Sequence, residues 1–252
     1  MKLSVVLPAF NEADTIYEVL TAVASGFASV DGLSDYEILV VDDASTDDTV
    51  KQVEAYQQRD EAVRLLSCQQ NAGKGAAVRW GFQEASGDIL LVQDADLEYS
   101  PRDYPSIIQP IIDGAADVVY GSRFKGETTR VLFFWHYLGN KFLTLLSNMF
   151  TNLNMTDMET GYKVFRRVVV QDLRLVSQRF GIEPELTAKV AKIPGLRIYE
   201  VPISYFGRTY EEGKKIGWKD GVVAIGCVIR FNLFSSRRMA IRSATKNDGD
   251  PR

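Results

Sequence analysis

The segment "DADLE", residues 94–98, sets three carboxylates, Asp94, Asp96 and Glu98, at the end of the apolar run "DILLVQ". Clustered carboxylates repel one another unless a cation neutralises them, and oxygen ligands suit hard divalent ions such as Mg2+ or Mn2+. Mg2+ keeps several waters and takes one or two carboxylates plus substrate phosphates, so a D-x-D at a strand end suits a diphosphate. Alone, D-x-D is common in solvated loops. Its place after a buried strand gives this one weight. Three other apolar runs end in comparable groups: "PAFNE" (residues 8–12), "DDASTDD" (42–48) and "GSR" (121–123).

Other chemistries lack their parts. The stretch "NAGKGAAVRWG", residues 71–81, lacks the first glycine of a P-loop and a Ser/Thr after Lys74. No G-x-G-x-x-G follows the first apolar run, which argues against a dinucleotide cofactor. The glycines around Lys74 instead permit close backbone approach at a helix start, where amides and the lysine favour anions. The single histidine, His136, excludes a multi-histidine zinc site, and no G-x-S-x-G elbow accompanies it. Taken as one site, residues 8–12 and Asp43 would meet a nucleobase. Asp94, Asp96 and Glu98 with a metal would hold a diphosphate, and Arg123 would contact a phosphate. The combination points to transfer of a group from a nucleoside diphosphate.

Such a site needs a scaffold that gathers strand ends. Over the first 121 residues, short Val/Ile/Leu runs ("LSVVLP", "YEILVVDD", "VRLLSC", "DILLVQDAD", "DVVYGS") alternate with stretches of helical spacing. Ile16, Val19, Leu20 and Val23 mark one stripe, and Val50, Val53 and Tyr56 a second. Ala76, Ala77, Trp80 and Phe82 mark a third, and Ile107, Ile108, Ile111 and Ile112 a fourth. This rhythm predicts an α/β fold: a Rossmann-like, mostly parallel sheet with helices on both faces. Ligands of such sheets bind at the carboxyl ends of the strands, where the acidic motifs fall.

After residue 130 the pattern changes. "FFWHYLGNKFLTLLSNMFTNL" sets Trp135, Leu138, Phe142, Leu145, Leu146, Met149 and Leu153 at helical steps. That helix would either pack as core or lie on a membrane interface, and both stay open. "TGYKVFRR" predicts a strand, "EPELTAKVAKI" a helix and "LRIYEVPISY" an edge strand carrying Pro202. A polar loop, "GRTYEEGKKIGWKDG", leads to a final apolar helix from about Trp218 to Phe234. The organisation expected is one domain over 1–234, with a nucleotide-binding half (1–123), an acceptor half (124–234) and a basic, disordered tail (235–252).

The chain has 252 residues and a formal net charge of −4. Residues 1–100 hold 6 Lys/Arg against 18 Asp/Glu, while residues 208–252 hold 10 against 5. The acidic first part disfavours nucleic acid, and the basic end suits an anionic membrane surface or a phosphate. Cys68 and Cys227, in apolar segments and without CxxC spacing, read as buried thiols in a reducing compartment. No apolar run is long enough to span a bilayer. A cytoplasmic location, with peripheral contact to the membrane face, is therefore expected.

Together, "PAFNE", "VVDDASTD", "NAGKGAAVRWGFQEASGDILLVQDADLE", "GSR", "TGYKVFRR" and "VPISYFGRTYEEGKKI" resemble the family 2 glycosyltransferases of GT-A fold. The branch they look most like is the dolichyl- or polyprenyl-phosphate mannosyl- and glucosyltransferases. The resemblance implies that Pro8, Phe10, Glu12 and Asp43 bind the nucleoside, with Lys74 and Asp94 also serving the donor. It implies Asp94, Asp96 and Glu98 as ligands of Mg2+ or Mn2+, although Glu98 falls where relatives often have glutamine. Arg123, Arg208 and Lys215 match basic residues near the phosphates, and with Asp96 form the implied catalytic set. His136 falls where lipid-phosphate mannosyltransferases place an arginine, which leaves more of the acceptor phosphate to Arg208 and Lys215. The implied reaction is inverting transfer of a hexose from a nucleotide-diphosphate sugar to a polyprenyl phosphate. Two alternatives remain: a sugar-hydroxyl or other soluble acceptor, for which Asp157 and Glu159 are candidate bases, and a non-catalytic sugar-nucleotide binder.

Overall fold

The computed structural model describes residues 1–126, 130–131, 133–171, 173–209 and 218–235. The first strand, β1 (Lys2–Ala9), and the second, β2 (Asp35–Asp42), flank α1 (Ile16–Phe27), and α2 (Thr49–Gln57) leads to β3 (Val63–Ser67). There follow α3 (Lys74–Glu84), β4 (Ile89–Val92), a 3-10 turn at Pro101–Asp103, α4 (Tyr104–Ile112) and β5 (Val118–Ser122). The second half holds α5 (Phe134–Thr151), β6 (Lys163–Arg166), α6 (Arg167–Gln171), α7 (Ile182–Val190), β7 (Ile198–Pro202) and α8 (Trp218–Leu233). Among the described residues these strands form one sheet of seven, ordered β3-β2-β1-β4-β6-β5-β7.

The sheet is an α/β sandwich because its strands are apolar on both sides. Leu3, Val5 and Leu7 of β1 pack with Ile16, Val19, Leu20 and Val23 of α1 and with the isoleucines of α4. Val6 points the other way, to Ala77 and Val78 of α3 and Ile182 and Leu186 of α7. Period-two alternation therefore feeds two cores from one strand, each buried Leu, Ile or Val contributing about 1.5–3 kcal/mol. The expected edge strand is β7, paired among the described residues with β5; it ends at Pro202, and the Ile203 amide closes the pairing by donating to the Ser122 carbonyl at 3.1 Å.

One strand breaks the parallel pattern. The strand β6 runs antiparallel to both neighbours, β4 and β5, while the pairings β1–β2, β1–β4, β2–β3 and β5–β7 are parallel. The amino-terminal end of β6 thus opens onto the edge where the other strands finish.

Helices α5 and α8 share a small core of Leu143, Met158, Ala224 and Val228. The bulky stripe of α5 lies mostly outside it: Trp135 is 76% exposed and Met149 73%, and Phe134, Leu138, Phe142 and Leu145 are exposed as well. Val222, Val223 and Leu233 of α8 are also exposed. The two cysteines depart from expectation, being half-buried rather than buried, and both are free thiols. No helix among the described residues is long and apolar enough to cross a membrane. Of the tail expected over 235–252, all but residue 235 lies outside the described residues.

Candidate active site

The ends of β1 and β2 are laced together. The Asn11 amide donates to Ser45 Oγ at 2.9 Å, the Thr46 amide to Asn11 Oδ1 at 2.8 Å, and the Glu12 amide to Thr49 Oγ1 at 2.9 Å. Asn11 and Ala44 adopt left-handed backbone, with φ of 54° and 61°. Such conformations are costly for residues with a side chain and gather at functional sites. Pro8 is half-buried behind the loop, and Phe10 is exposed at its rim. Asp43 is buried, and its two oxygens accept the Ala72 and Gly73 amides, each at 2.7 Å. It fixes the turn ahead of Lys74.

The glycines beside Lys74 permit close backbone approach at the start of α3, and what approaches is the segment around Ser177. They admit protein backbone: a Cβ on Gly75 would stand 2.6 Å from the Ser177 carbonyl oxygen. Lys74 itself pairs with Asp94 at 2.7 Å and with Glu183 at 3.0 Å. Burial lowers the Lys74 ammonium's pKa, but Asp94 and Glu183 outweigh it and hold the group above its ordinary value.

The acids after β4 are bound to one distant arginine. Arg208 Nη2 donates to Asp96 Oδ2 at 2.8 Å and its backbone amide to Glu98 Oε1 at 2.8 Å, while Nη1 lies 3.7 Å from Glu12 Oε2. Glu98 Oε2 accepts the Tyr205 hydroxyl at 2.8 Å. Thr15, just before α1, donates its hydroxyl to the Ala95 carbonyl at 3.0 Å, fixing the same turn from the other side. Burial, then the neighbouring charges of Asp94 and Glu98, push the Asp96 carboxyl up to about 7 against the pull of Arg208. Among the described residues, Arg208 and a Lys74 shared with Glu183 are fewer positive charges than Glu12, Asp94, Asp96 and Glu98 carry negative ones. Surplus negative charge on oxygen ligands fits a hard divalent cation held by Asp94 and Asp96. Glu98, the expected third ligand, accepts hydrogen bonds on both oxygens, Oε1 from the Arg208 amide and Oε2 from the Tyr205 hydroxyl. Among the described residues, no three His, Cys, Asp or Glu side chains are arranged to hold a metal ion.

Beyond the acids lies a second charged set, supplied by the approach to β6. Arg123 grips Asp157 with two hydrogen bonds, Nε to Oδ2 and Nη2 to Oδ1, each 2.7 Å. Glu183, at the start of α7, bridges Lys74 and Lys163, the latter at 2.7 Å. Burial would raise the Glu183 carboxyl, but Lys163 and Lys74 hold it below the usual carboxylate range. Glu159 stands among these groups with its carboxyl pushed up to about 7, first by burial and then by the charge of Glu183.

The structure therefore brings together Glu12, Asp94, Asp96, Glu98 and Arg208, and joins Lys74 to Asp94. Arg123 is committed to Asp157, and His136, in the first turn of α5, is half-buried with its ring 5.5 Å from Phe133. Lys215 lies outside the described residues. Glu183, Lys163 and the pairing role of Asp157 were missed from sequence. The available signal was Glu183 in "EPEL", an acid at the head of a helix that opens toward the strand ends.

Residues 4–174 match the model of the family described as Glycosyl transferase family 2. The chain belongs to that family. It is 31% identical over 220 residues to the dolichol-phosphate mannosyltransferase of Pyrococcus furiosus, covering 86% of this chain and 60% of that protein. It is 28% identical over 247 residues to the undecaprenyl-phosphate mannosyltransferase of Micrococcus luteus, covering 92% of this chain and 95% of that protein. Among solved structures, it resembles glucosyl-3-phosphoglycerate synthase from Mycobacterium tuberculosis in complex with Mn2+, UDP and glucosyl-3-phosphoglycerate. That likeness has a TM-score of 0.70 at 24% identity, covers 92% of this chain and 80% of that one, and shows the GT-A fold. The chain spans less than two thirds of the length of the Pyrococcus relative.

Proposed function

We propose that this chain is an inverting hexosyltransferase that moves mannose or glucose from a nucleotide-diphosphate sugar to a polyprenyl phosphate. The observation that carries the reading is the acid set at the carboxyl end of β4: among the described residues, Glu12, Asp94, Asp96 and Glu98 are met by Arg208 and by a Lys74 shared with Glu183. The names of the Pyrococcus and Micrococcus relatives support a lipid-phosphate acceptor. The Mn2+ and UDP of the synthase structure support a divalent cation and a nucleotide donor.

In this reading Pro8, Phe10, Glu12 and Asp43 bind the nucleoside, and Lys74, Arg123, Arg208 and Lys215 meet phosphate oxygens. Asp94 and Asp96 would hold Mg2+ or Mn2+, which when bound neutralises charge on the departing diphosphate. A phosphate oxygen of the acceptor attacks the anomeric carbon from the face opposite the leaving group. The bond to the β-phosphate oxygen breaks, and the configuration inverts. A phosphate acceptor is already anionic near neutral pH, so no general base is required. Residues 1–234 act as one catalytic domain on the cytoplasmic membrane face, with the exposed apolar surface of α5 and α8 resting against lipid.

A hydroxyl acceptor is the second reading. It would need a base, and Glu159, whose carboxyl sits near neutrality, favours it; Asp157 is locked to Arg123. The test is a donor screen with UDP-glucose, GDP-mannose and UDP-N-acetylhexosamine against a short polyprenyl phosphate in Mg2+ or Mn2+. Labelled hexose in the lipid product is the expected outcome. Label appearing only in a soluble sugar would establish the second reading instead.

A further inference from the structure

Along residues 156–161, which lead into β6, polar groups are tied down on both sides of one gap. The Thr156 and Asp157 amides donate to Glu200 Oε1 at 2.8 and 3.0 Å, and the Met158 amide donates to Thr144 Oγ1 at 3.1 Å. The Gly161 amide donates to the Tyr99 hydroxyl at 2.8 Å. Between them, Glu159 Oε1 and Thr160 Oγ1 are buried without a hydrogen-bond partner among the described residues. Two successive orphaned polar atoms are uncommon, because desolvation is then uncompensated. Glu159 is half-buried and Thr160 fully buried, so a ligand would approach the two atoms from the Glu159 side.

The place of the gap in the sheet says what would fill it. The loops that would hold the nucleoside follow β2 and β1, and the acids that would hold the diphosphate follow β4. The next strand across is β6. Since β6 is antiparallel, its leading segment, and not its trailing one, arrives at this edge. Gly161 lies hard against the acids: a Cβ there would stand 2.4 Å from Asp94 Oδ2. The Thr160 carbonyl takes Lys163 Nζ, and Lys163 connects through Glu183 and Lys74 to Asp94. Continuing from base through diphosphate, the next group of the donor is its sugar. A carboxylate oxygen repels an acceptor phosphate and accepts from neutral hydroxyls, and a threonine hydroxyl both donates and accepts.

We propose that Glu159 and Thr160 form the hydroxyl-reading wall for the transferred hexose, their two unpartnered oxygens taking its ring hydroxyls beside Asp94. The inference rests on the donor reading above and assigns the sugar contact within that same site. The test is calorimetric binding of UDP-glucose against UDP, and of GDP-mannose against GDP, in Mn2+, for wild type, Glu159→Ala and Glu159→Gln. The expected result is that Glu159→Ala weakens the preferred sugar nucleotide at least fivefold while the bare nucleotide is unchanged, with Glu159→Gln between. Equal weakening of both ligands would mark a structural role, and no change in either would remove Glu159 from the sugar; each overturns the proposal. Loss of turnover with an unchanged binding ratio would also overturn it, in favour of a base. If wild type bound none of the four nucleotides, the donor reading would fall first and take this inference with it.

Discussion

Among the described residues, Arg208 meets Glu12, Asp96 and Glu98 with a single positive charge, an excess of acid that suits a divalent cation. A carboxylate that burial makes reluctant to ionise gains most from a divalent cation, and Asp96 is such a group. Glu37 shows the opposite arrangement far from the cleft. It is buried, yet Ser4 Oγ and the Ser86 amide donate to Oε1, each at 2.6 Å, and Arg64 lies 3.2 Å from Oε2. Burial pushes the Glu37 carboxyl up, but the Ser4 and Ser86 hydrogen bonds and Lys2 outweigh it and leave it below its ordinary value. A carboxyl depressed on folding stabilises the protein above its unfolded pKa of about 4.3, and that stability is lost as pH falls through the folded value. Glu37→Gln should therefore cost about 1–3 kcal/mol at pH 7. Thermal melting from pH 7 to pH 3 should show the gap between wild type and variant closing below about pH 4. A gap that stays constant would contradict the account. At this scale the acids were legible because they end apolar runs. Their partners were not, since 112 residues separate Asp96 from Arg208 and nothing local to either announces the pair.

The elements explain why the acids face a common edge. Parallel strands were legible from short Val/Ile/Leu runs bounded by helical stripes, and every first-half strand lies where such a run falls. The direction of β6 was not, because alternation and composition are the same for either direction. Yet that reversal brings residues 156–161 to the cleft. Gly161 is the point of closest approach, and Gly161→Ala should test it. A methyl group 2.4 Å from Asp94 Oδ2 must displace either the carboxylate or the loop. Nucleoside diphosphate binding in Mn2+ should fall at least about tenfold, or about 1.4 kcal/mol, with the fold retained by circular dichroism. Unchanged binding would mean that Asp94 does not hold the diphosphate. The amphipathic spacing of α5 was also legible, but the side it turns to solvent was not. Only Leu143, Thr144 and Ser147 of α5 are buried, so its small and polar side faces the protein and its aromatic side faces out.

For the molecule as a whole, the outward-facing apolar side of α5 is the feature that bears on partners. An exposed apolar face shared by α5 and α8 is of the kind that marks a protein or membrane contact. In the proposed reading it would suit a substrate whose polyprenyl tail stays in lipid while its phosphate reaches the cleft. Trp135→Ser, Leu145→Ser and Met149→Ser combined should leave donor binding intact, because these side chains are exposed. The same variant should lose at least about tenfold in flotation with anionic vesicles, since each buried apolar side chain contributes about 1.5–3 kcal/mol. Equal flotation of variant and wild type would remove α5 from the membrane. The charge asymmetry of the sequence, acidic over residues 1–100 and basic over 208–252, is compatible with that proposal.

The account stands most directly on donor binding through a divalent cation held by Asp94 and Asp96. Titration of UDP and GDP into wild type and Asp96→Ala, with Mn2+ and again with chelator, measures it. Wild type should bind one of the two nucleotides with Mn2+ and lose at least about a hundredfold, or about 2.7 kcal/mol, in chelator, with Asp96→Ala weak under both conditions. Equal binding by wild type with and without the metal, or by the variant and wild type with it, would contradict the account.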